Sequence, residues 1–238
     1  DVLSKGANDF VTEVDIAAEQ EIIYHLQKAY PDHAILGEEG GLVGDEDAEY
    51  RWVIDPLDGT TNFIRGIPHY AVSIACLRQG KVEHAVIVDP VRREEFTASR
   101  GRGAQLNGRR LRVSKLTSLE GALLGTGIPF RDQRYIDAYL EMLKALTQET
   151  AGIRRPGSAA LDFAYVAAGR LDGFWELGLS TWDFAAGTLL VQEAGGVVSD
   201  IGGGSRHFET GNVIAGNIRL HRELVATIRP HLPETLRA

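Results

Sequence analysis

Apolar positions recur near a 3.6-residue period from Asp15 to about residue 30, at Ile16, Ile22, Ile23, Leu26 and Ala29, and Pro31 follows as a stop. That spacing predicts a helix. The period then shortens. HAILGEEGG (33–41) and EYRWVIDP (49–56) run apolar residues into acidic, glycine-containing ends, and YAVSIACLRQ, GKVEHAVIVDP and EEFTASRG read as a meander with Gly80 and Pro90 near its corners. This half is expected to be a helix layer on an antiparallel sheet. From about Glu120 the pattern becomes strand, helix, strand. GALLGTGIPF leads to a helix over residues 135–146 with Ile136, Tyr139, Leu140, Leu143 and Leu146 on one face. Ser158 is placed to cap a helix reaching residue 168, with Gly169 beyond its last turn. LDGFWELG reads as a strand, Thr181 or Asp183 can cap a helix over 184–194, and Gly195-Gly196 ends it. The strand NVIAGN and a helix over 221–228 complete the chain. No fixed-period repeat or Pro/Ser-rich linker interrupts it, so two halves, 1–119 and 120–238, are expected to pack tightly.

Composition narrows the class. The 238 residues are 44% hydrophobic and 24% charged, the make-up of a globular chain able to bury a substantial core. No run approaches the length of a membrane span, and the opening DVLSKGANDF has neither the basic start nor the apolar middle of a signal peptide. A cytoplasmic location is therefore expected. The single cysteine, Cys76, excludes an internal disulfide and sits in YAVSIACL as a small buried hydrophobe. The sequence starts at Asp1 rather than at a methionine, and residues upstream are expected. A net charge of −8 argues against general nucleic-acid binding. The one basic concentration, residues 92–115, carries eight Lys/Arg against two Glu. It reads as the solvated face of a strand pair, with a docking surface for a macromolecular partner as the alternative.

Acidic residues fall where strands or loops meet helix starts or turns: Glu38-Glu39, Asp55 with Asp58, Glu176, and Asp183. Taken singly, each has an ordinary explanation. Asp-Pro and Asp-Gly stop strands, Glu38-Glu39 suits a solvated loop, Asp183 suits a helix cap, and Glu176 suits an exposed strand position. Together they suit a hard divalent cation, which favours carboxylates and carbonyls. Asp55 and Asp58 flank a Pro-Leu turn whose Leu57 carbonyl is a natural further ligand. Gly59 and Thr60 follow at once and offer backbone amides at a helix start, where an anion is favoured. Acids to hold a metal beside amides to hold a phosphate describe one site. Without a cation the same acids would repel a phosphate ester and disfavour one another's ionisation.

The motifs GEEG (37–40), WVIDPLDGTTNF (52–63) and WDFAAGTLLVQEAGG (182–196), with NDFVTEVD (8–15) ahead of them, resemble the inositol monophosphatase family over nearly the whole chain. GSAALDFAYVAAGRLDGF (157–174) and GRGAQLNGRRL (101–111) resemble its bacterial SuhB branch. The resemblance implies an αβαβα sandwich shared with fructose-1,6-bisphosphatase, and Mg²⁺-dependent, lithium-sensitive hydrolysis of inositol monophosphates. It implies Glu38, Asp55, the Leu57 carbonyl, Asp58 and Asp183 as metal ligands. Thr60 and Glu38 would orient the attacking water, with Asp15 supporting Thr60. Gly59 and Thr60 would hold phosphate through their amides. On the substrate side it implies Glu176, Arg154, Gly157, Ser158 and Ala159, and it loosely matches Lys5 to a mobile basic residue. The family pattern has a further helix ahead of this sequence, which leaves the outer layer open.

Two alternatives stand beside that reading. One is a phosphatase for another sugar or nucleotide phosphate, such as fructose 1,6-bisphosphate or a 3′-phosphoadenosine nucleotide. The other follows from the branch: association with RNA polymerase and the transcription antitermination machinery, through residues 92–115 and Arg154-Arg155. A site and a surface can share one fold. The resemblance also suggests a homodimer.

Overall fold

The computed structural model describes residues 2–6 and 9–237. A hairpin of β1 (Val2–Gly6) and β2 (Asp9–Thr12) leads into α1 (Glu13–Ala29). Thr12 starts this helix: its hydroxyl accepts from the Val14 and Asp15 amides while the Asp15 carboxylate accepts from the Thr12 amide at 2.9 Å. This capping box satisfies amides that the first turn leaves without helical partners. The side chain of Lys5 lies outside the described part of the chain.

The predicted meander forms one eight-stranded sheet in the order β10-β9-β8-β7-β6-β5-β3-β4. Its strands are β3 (Ala34–Gly37), β4 (Gly41–Val43), β5 (Tyr50–Asp58), β6 (Ala71–Arg78), β7 (Lys81–Asp89), β8 (Glu94–Ser99), β9 (Gly103–Leu106) and β10 (Arg109–Arg110). A short helix, α2 (Thr60–Ile64), follows β5. Every pairing in this sheet is antiparallel except that of β3 with β5, which runs parallel with β4 between them in the chain. The second half builds a five-stranded sheet, β12-β11-β13-β15-β14, from β11 (Leu123–Thr126), β12 (Gly152–Arg154), β13 (Gly173–Glu176), β14 (Val197–Ser199) and β15 (Val213–Gly216). Its helices are α3 (Ile136–Glu149), α4 (Ala159–Ala167), α5 (Thr181–Glu193), α6 (His207–Thr210) and α7 (Ile218–Ile228).

Burial explains the stacking. In α5 every residue from Phe184 to Val191 is buried, so the helix has no solvent face and must lie between layers. It packs on β5 through β9 and against α4, which in turn contacts β11 and β13. Gly187 admits the ring of Phe163, so α4 and α5 approach closely. α1 covers the outer face of the large sheet at β5, and α7 with α3 covers the outer face of the small one, where Tyr139, Met142 and Leu146 join Leu124 and Trp175 in one core. The result is the expected αβαβα sandwich. One core joins the two sheets through α4 and α5, and a second lies under α3 and α7 around Tyr139, Trp175 and Leu224. Among the described residues no helix is long and apolar enough to cross a membrane.

Three local expectations change. On α3, Leu140 is 50% exposed and Met142 is fully buried, because the buried face runs through Tyr139, Met142 and Leu146 and leaves Leu140 beyond its edge. α5 begins at Thr181, with Ser180 as its cap and Asp183 inside the first turn. α7 begins at Ile218, because Asn217 Oδ1 accepts from the amides of Arg219 and Leu220 at 3.0 Å each.

Candidate active site

Asp55 and Asp58 are three residues apart, and on a regular strand they would face opposite sides of the sheet. They do not, because Asp55 pairs with Ser73 while Asp58 pairs with Ala71: β5 uses three residues where β6 uses two. This bulge restores the two carboxylates to one side, and it falls at Pro56, a residue suited to such an interruption of the ladder. Within the bulge the Leu57 amide donates to Asp55 Oδ1 at 3.0 Å. Gly59 then turns the chain into α2 with φ +96°, and a Cβ there would sit 3.0 Å from the His69 carbonyl. Only glycine meets both conditions.

Other elements deliver their groups to the same point. The Thr60 hydroxyl lies 3.1 Å from Asp15 Oδ1 and 3.0 Å from the Leu57 carbonyl, so the α1 capping box reaches the turn after β5. Asp58 Oδ2 accepts from Ser158 Oγ at 2.6 Å and from the Ala160 amide at 2.7 Å, which docks the start of α4 onto β5. Asp183 Oδ2 accepts from the Ser180 amide at 2.7 Å and so is fixed by the first turn of α5. Carboxylate oxygens of Asp55, Asp58 and Asp183 lie within 4.8 Å of one another.

The acids form the floor of a cleft of about 840 Å³. Glu38, the Leu57–Thr60 turn, Gly157–Ala159 and Glu176 line it as well. Asp15 is fully buried behind Thr60 and does not line the cleft. Arg154 departs from its expected place: it is exposed at the end of β12, its guanidinium donates to the Ile153 carbonyl at 3.2 Å, and it does not line the cleft. Its neighbour Arg155 does, with its guanidinium 5.2 Å from the centre of the Phe130 ring. Successive residues leaving a strand point to opposite sides, so one step along the chain exchanges the two arginines.

Crowding sets the electrostatics. Burial, followed by the charges of Asp58, Glu38 and Asp183, pushes Asp55 well above the usual carboxylate range. Burial raises Asp58 to about 6, against hydrogen bonds from Ser158 and Ala160 that pull it down. Burial and the nearby Asp58 raise Asp183 to about 7, and burial with Asp183 and Asp58 raises Glu176 to about 8. Buried acids that suppress one another's ionisation are short of positive charge. Converging oxygens, high local negative charge and no nitrogen or sulfur donor among them fit a hard divalent cation such as Mg²⁺.

Residues that sequence reasoning missed hold this arrangement in place. Glu19, on α1, is buried and accepts from the amides of Glu39 and Gly40 at 2.9 and 2.6 Å, which fixes the loop carrying Glu38. Asn62 Nδ2 donates to the carbonyls of His69 and Pro156 at 2.8 and 2.9 Å and ties the turn after β5 to the approach to α4. Asp162, on α4, is buried at the cleft, and its Oδ1 has no hydrogen-bond partner among the described residues. GEEG and GTTNF flag the neighbourhoods of Glu19 and Asn62, but only long-range contact identifies the partners.

Comparison with known proteins agrees with this geometry. A model of the inositol monophosphatase family matches residues 1–234. The Nus factor SuhB of Pseudomonas aeruginosa is 64% identical over an alignment of 244 residues, which covers 100% of this chain and 90% of that protein. The crystal structure of the extragenic suppressor protein suhB from Bartonella henselae is 47% identical, with a TM-score of 0.94 over 98% of this chain and 89% of that one. The inositol monophosphatase from Anabaena is 41% identical, with a TM-score of 0.88 over 94% of this chain and 89% of that one.

Proposed function

The chain belongs to the inositol monophosphatase family, whose members are metal-dependent, and from that premise we propose that it is a Mg²⁺-dependent phosphomonoesterase that hydrolyses inositol monophosphates to inositol and phosphate. One observation carries the reading: the β5 bulge sets Asp55 and Asp58 on one side, with Asp183 beside them and the Thr60–Asp15 pair next in line. Asp55, the Leu57 carbonyl, Asp58, Asp183 and Glu38 would hold the cation. When bound, it supplies Lewis acidity toward the phosphoryl oxygens and a lowered pKa for water.

The remaining work falls to the chain. The amides of Gly59 and Thr60 receive phosphate oxygens at the start of α2. Asp15 Oδ1 anchors the Thr60 hydroxyl, which with Glu38 orients a water for attack on phosphorus. The new P–O bond forms from that water as the ester P–O bond breaks, and positioning and electrostatics supply most of the acceleration. Glu176, with Gly157, Ser158 and Ala159, faces the inositol leaving group. Arg155 takes the place on this side that Arg154 was expected to fill.

A second role rests on a different part of the surface. Arg109 and Arg110 form β10 at the open edge of the large sheet, and both are exposed. The chain's likeness to a Nus factor supports an association of this basic edge with RNA polymerase and the antitermination machinery. In this reading the protein is a cytoplasmic homodimer, and the two roles coexist.

The test is phosphate release from D,L-inositol 1-phosphate with Mg²⁺, with Mg²⁺ plus Li⁺, and with EDTA, beside Asp55→Asn. Turnover that needs Mg²⁺, falls with Li⁺ and drops at least 100-fold in Asp55→Asn, roughly 3 kcal/mol of barrier, is expected. Normal turnover in Asp55→Asn at ordinary Mg²⁺ would sink the assignment. Parallel assays with fructose 1,6-bisphosphate and 3′-phosphoadenosine 5′-phosphate separate the neighbouring substrate classes.

A further inference from the structure

Gly125 and Gly127, at the end of β11, both lack a positive φ, so neither is there for a turn. Gly127 leaves a space that the Glu176 carboxyl fills, and Gly125 one shared by Leu171, Asp162 and Phe174. A Cβ on Gly125 would stand 3.2 Å from Asp162 Oδ1, and a Cβ on Gly127 would overlap the Glu176 carboxyl. The strand register agrees: Gly125 pairs with Phe174 and Thr126 with Trp175, so the alternate positions Gly125, Gly127, Phe174 and Glu176 share one face. Thr126 turns to the other face, where its hydroxyl meets Tyr139. The Glu176 carboxyl thus lies over Gly127, Asp162 Oδ1 stands near Gly125 on the same face of the sheet, and both acids line the cleft.

Asp162 is 1% exposed, and its Oδ1 has no hydrogen-bond partner among the described residues. Buried polar atoms are nearly always paired, and an orphan that persists at a cleft marks a group whose partner comes from outside. We infer that Asp162 is a specificity-determining residue that, together with Glu176, receives neighbouring hydroxyls of a polyol leaving group. The inference rests on the phosphatase reading for the identity of that leaving group. A vicinal diol presents two hydroxyls at the spacing of adjacent ring carbons, and each hydroxyl can both donate and accept. Burial, with Glu176 and then Asp58, pushes Asp162 well above the usual carboxylate range, and Glu176 is raised to about 8. Both shifts run toward the protonated carboxyl, the form that can donate as well as accept and so suits a hydroxyl. Arg155, which lines the same cleft, opposes both shifts.

The experiment measures binding rather than turnover: myo-inositol is titrated by saturation-transfer NMR into wild type, Asp162→Asn and Asp162→Ala. Asn keeps a neutral donor and acceptor of nearly the same shape. It should bind within about threefold of wild type, whereas Ala should bind about tenfold more weakly, the loss of a hydrogen bond that discriminates one ligand group. Ala also removes an unpartnered buried oxygen from a helix that favours it, so its Tm should be no lower than that of wild type. A fold residue would give the opposite result. Equal binding by Ala and wild type, Asn as weak as Ala, a lowered Tm in Ala, or no myo-inositol binding by wild type would each overturn the assignment. Release of p-nitrophenol from p-nitrophenyl phosphate by wild type with Mg²⁺ tests the phosphatase reading separately. If that reaction fails while the myo-inositol titration behaves as stated, the phosphatase reading falls and Asp162 keeps its role as a polyol contact.

Discussion

Replacing Glu19 by Gln tests whether a residue outside the cleft sets the position of Glu38. The Glu19 carboxylate accepts from the Glu39 amide at 2.9 Å and from the Gly40 amide at 2.6 Å, and it is 3% exposed. It also fills the space over Gly37, where a Cβ would stand 2.5 Å from the carboxyl carbon. Gln is almost isosteric, so packing is preserved. Its amide keeps one acceptor oxygen but turns an NH₂ group toward the second backbone N–H. One hydrogen bond to a charged acceptor is lost and one weakened, a destabilisation of about 2 kcal/mol. For a domain of this size that corresponds to a fall in Tm of about 4–8 °C, measured by circular dichroism in EDTA. The loop would also loosen at Glu38, so half-saturation by Mg²⁺ in the phosphatase assay should rise about fivefold, or ~1 kcal/mol. A Tm within about 1 °C of wild type together with unchanged Mg²⁺ half-saturation would refute the argument that Glu19 positions Glu38.

Asn62→Leu leaves the His69 and Pro156 carbonyls without their donor and should lower Tm by about 4–10 °C, from about 2–3 kcal/mol of lost and unsatisfied hydrogen bonds; an unchanged melting curve would show that the tie is dispensable. Arg109→Glu with Arg110→Glu reverses the charge of the β10 edge and should weaken retention of RNA polymerase or antitermination factors in a pull-down at least tenfold at 0.15 M salt, roughly 1.4 kcal/mol. Full retention would remove this edge from the partner surface. His221 is buried with Nε2 2.7 Å from Ser199 Oγ, and burial followed by the Arg222 charge lowers its pKa below the ordinary 6.5. The unfolded chain therefore binds the extra proton first, so the stability tied to neutral His221 is present above about pH 6.5 and is lost as pH falls through that value toward the folded pKa. Tm should drop between pH 7.5 and 5.5, with a shallower drop in His221→Gln; equal slopes would count against the assignment.

How much of this was legible in the sequence depended on whether the signal was local. The helix α1, the meander and the strand–helix alternation of the second half follow from short-range periodicity and turn residues, and they appear within a few residues of their expected bounds. The starts of α5 and α7 were misplaced because Ser180 and Asn217 cap them from polar segments where hydrophobic spacing is silent. Leu140 was assigned inward because the expected face had the right period but the wrong phase. Glu19 lies on α1 and carries no local signal of its role. Its partners are 20 and 21 residues away, and no local pattern reports them. The same holds for Asn62, whose bond to Pro156 spans 94 residues, and for Asp162, whose Oδ1 has no partner among the described residues.

The acids at the centre of the site make the physical reason plain. Side-chain direction on a strand alternates, and that parity rule places Asp55 and Asp58 on opposite faces. The same rule, applied to Arg154 and Arg155, decides which arginine faces the cleft. It holds for the arginines and is reversed for the aspartates by one extra residue in β5 relative to β6. Pro56 is compatible with such a bulge but does not require it; the requirement comes from Ser73 and Ala71 across the ladder, which accept Asp55 and Asp58 as their partners. Convergence of the two carboxylates is therefore a property of the strand pair, not of the motif alone. A chain that kept WVIDPLDG but gained one residue in β6 between Ala71 and Ser73 would keep its acids, lose the bulge and turn one of them away from Asp183.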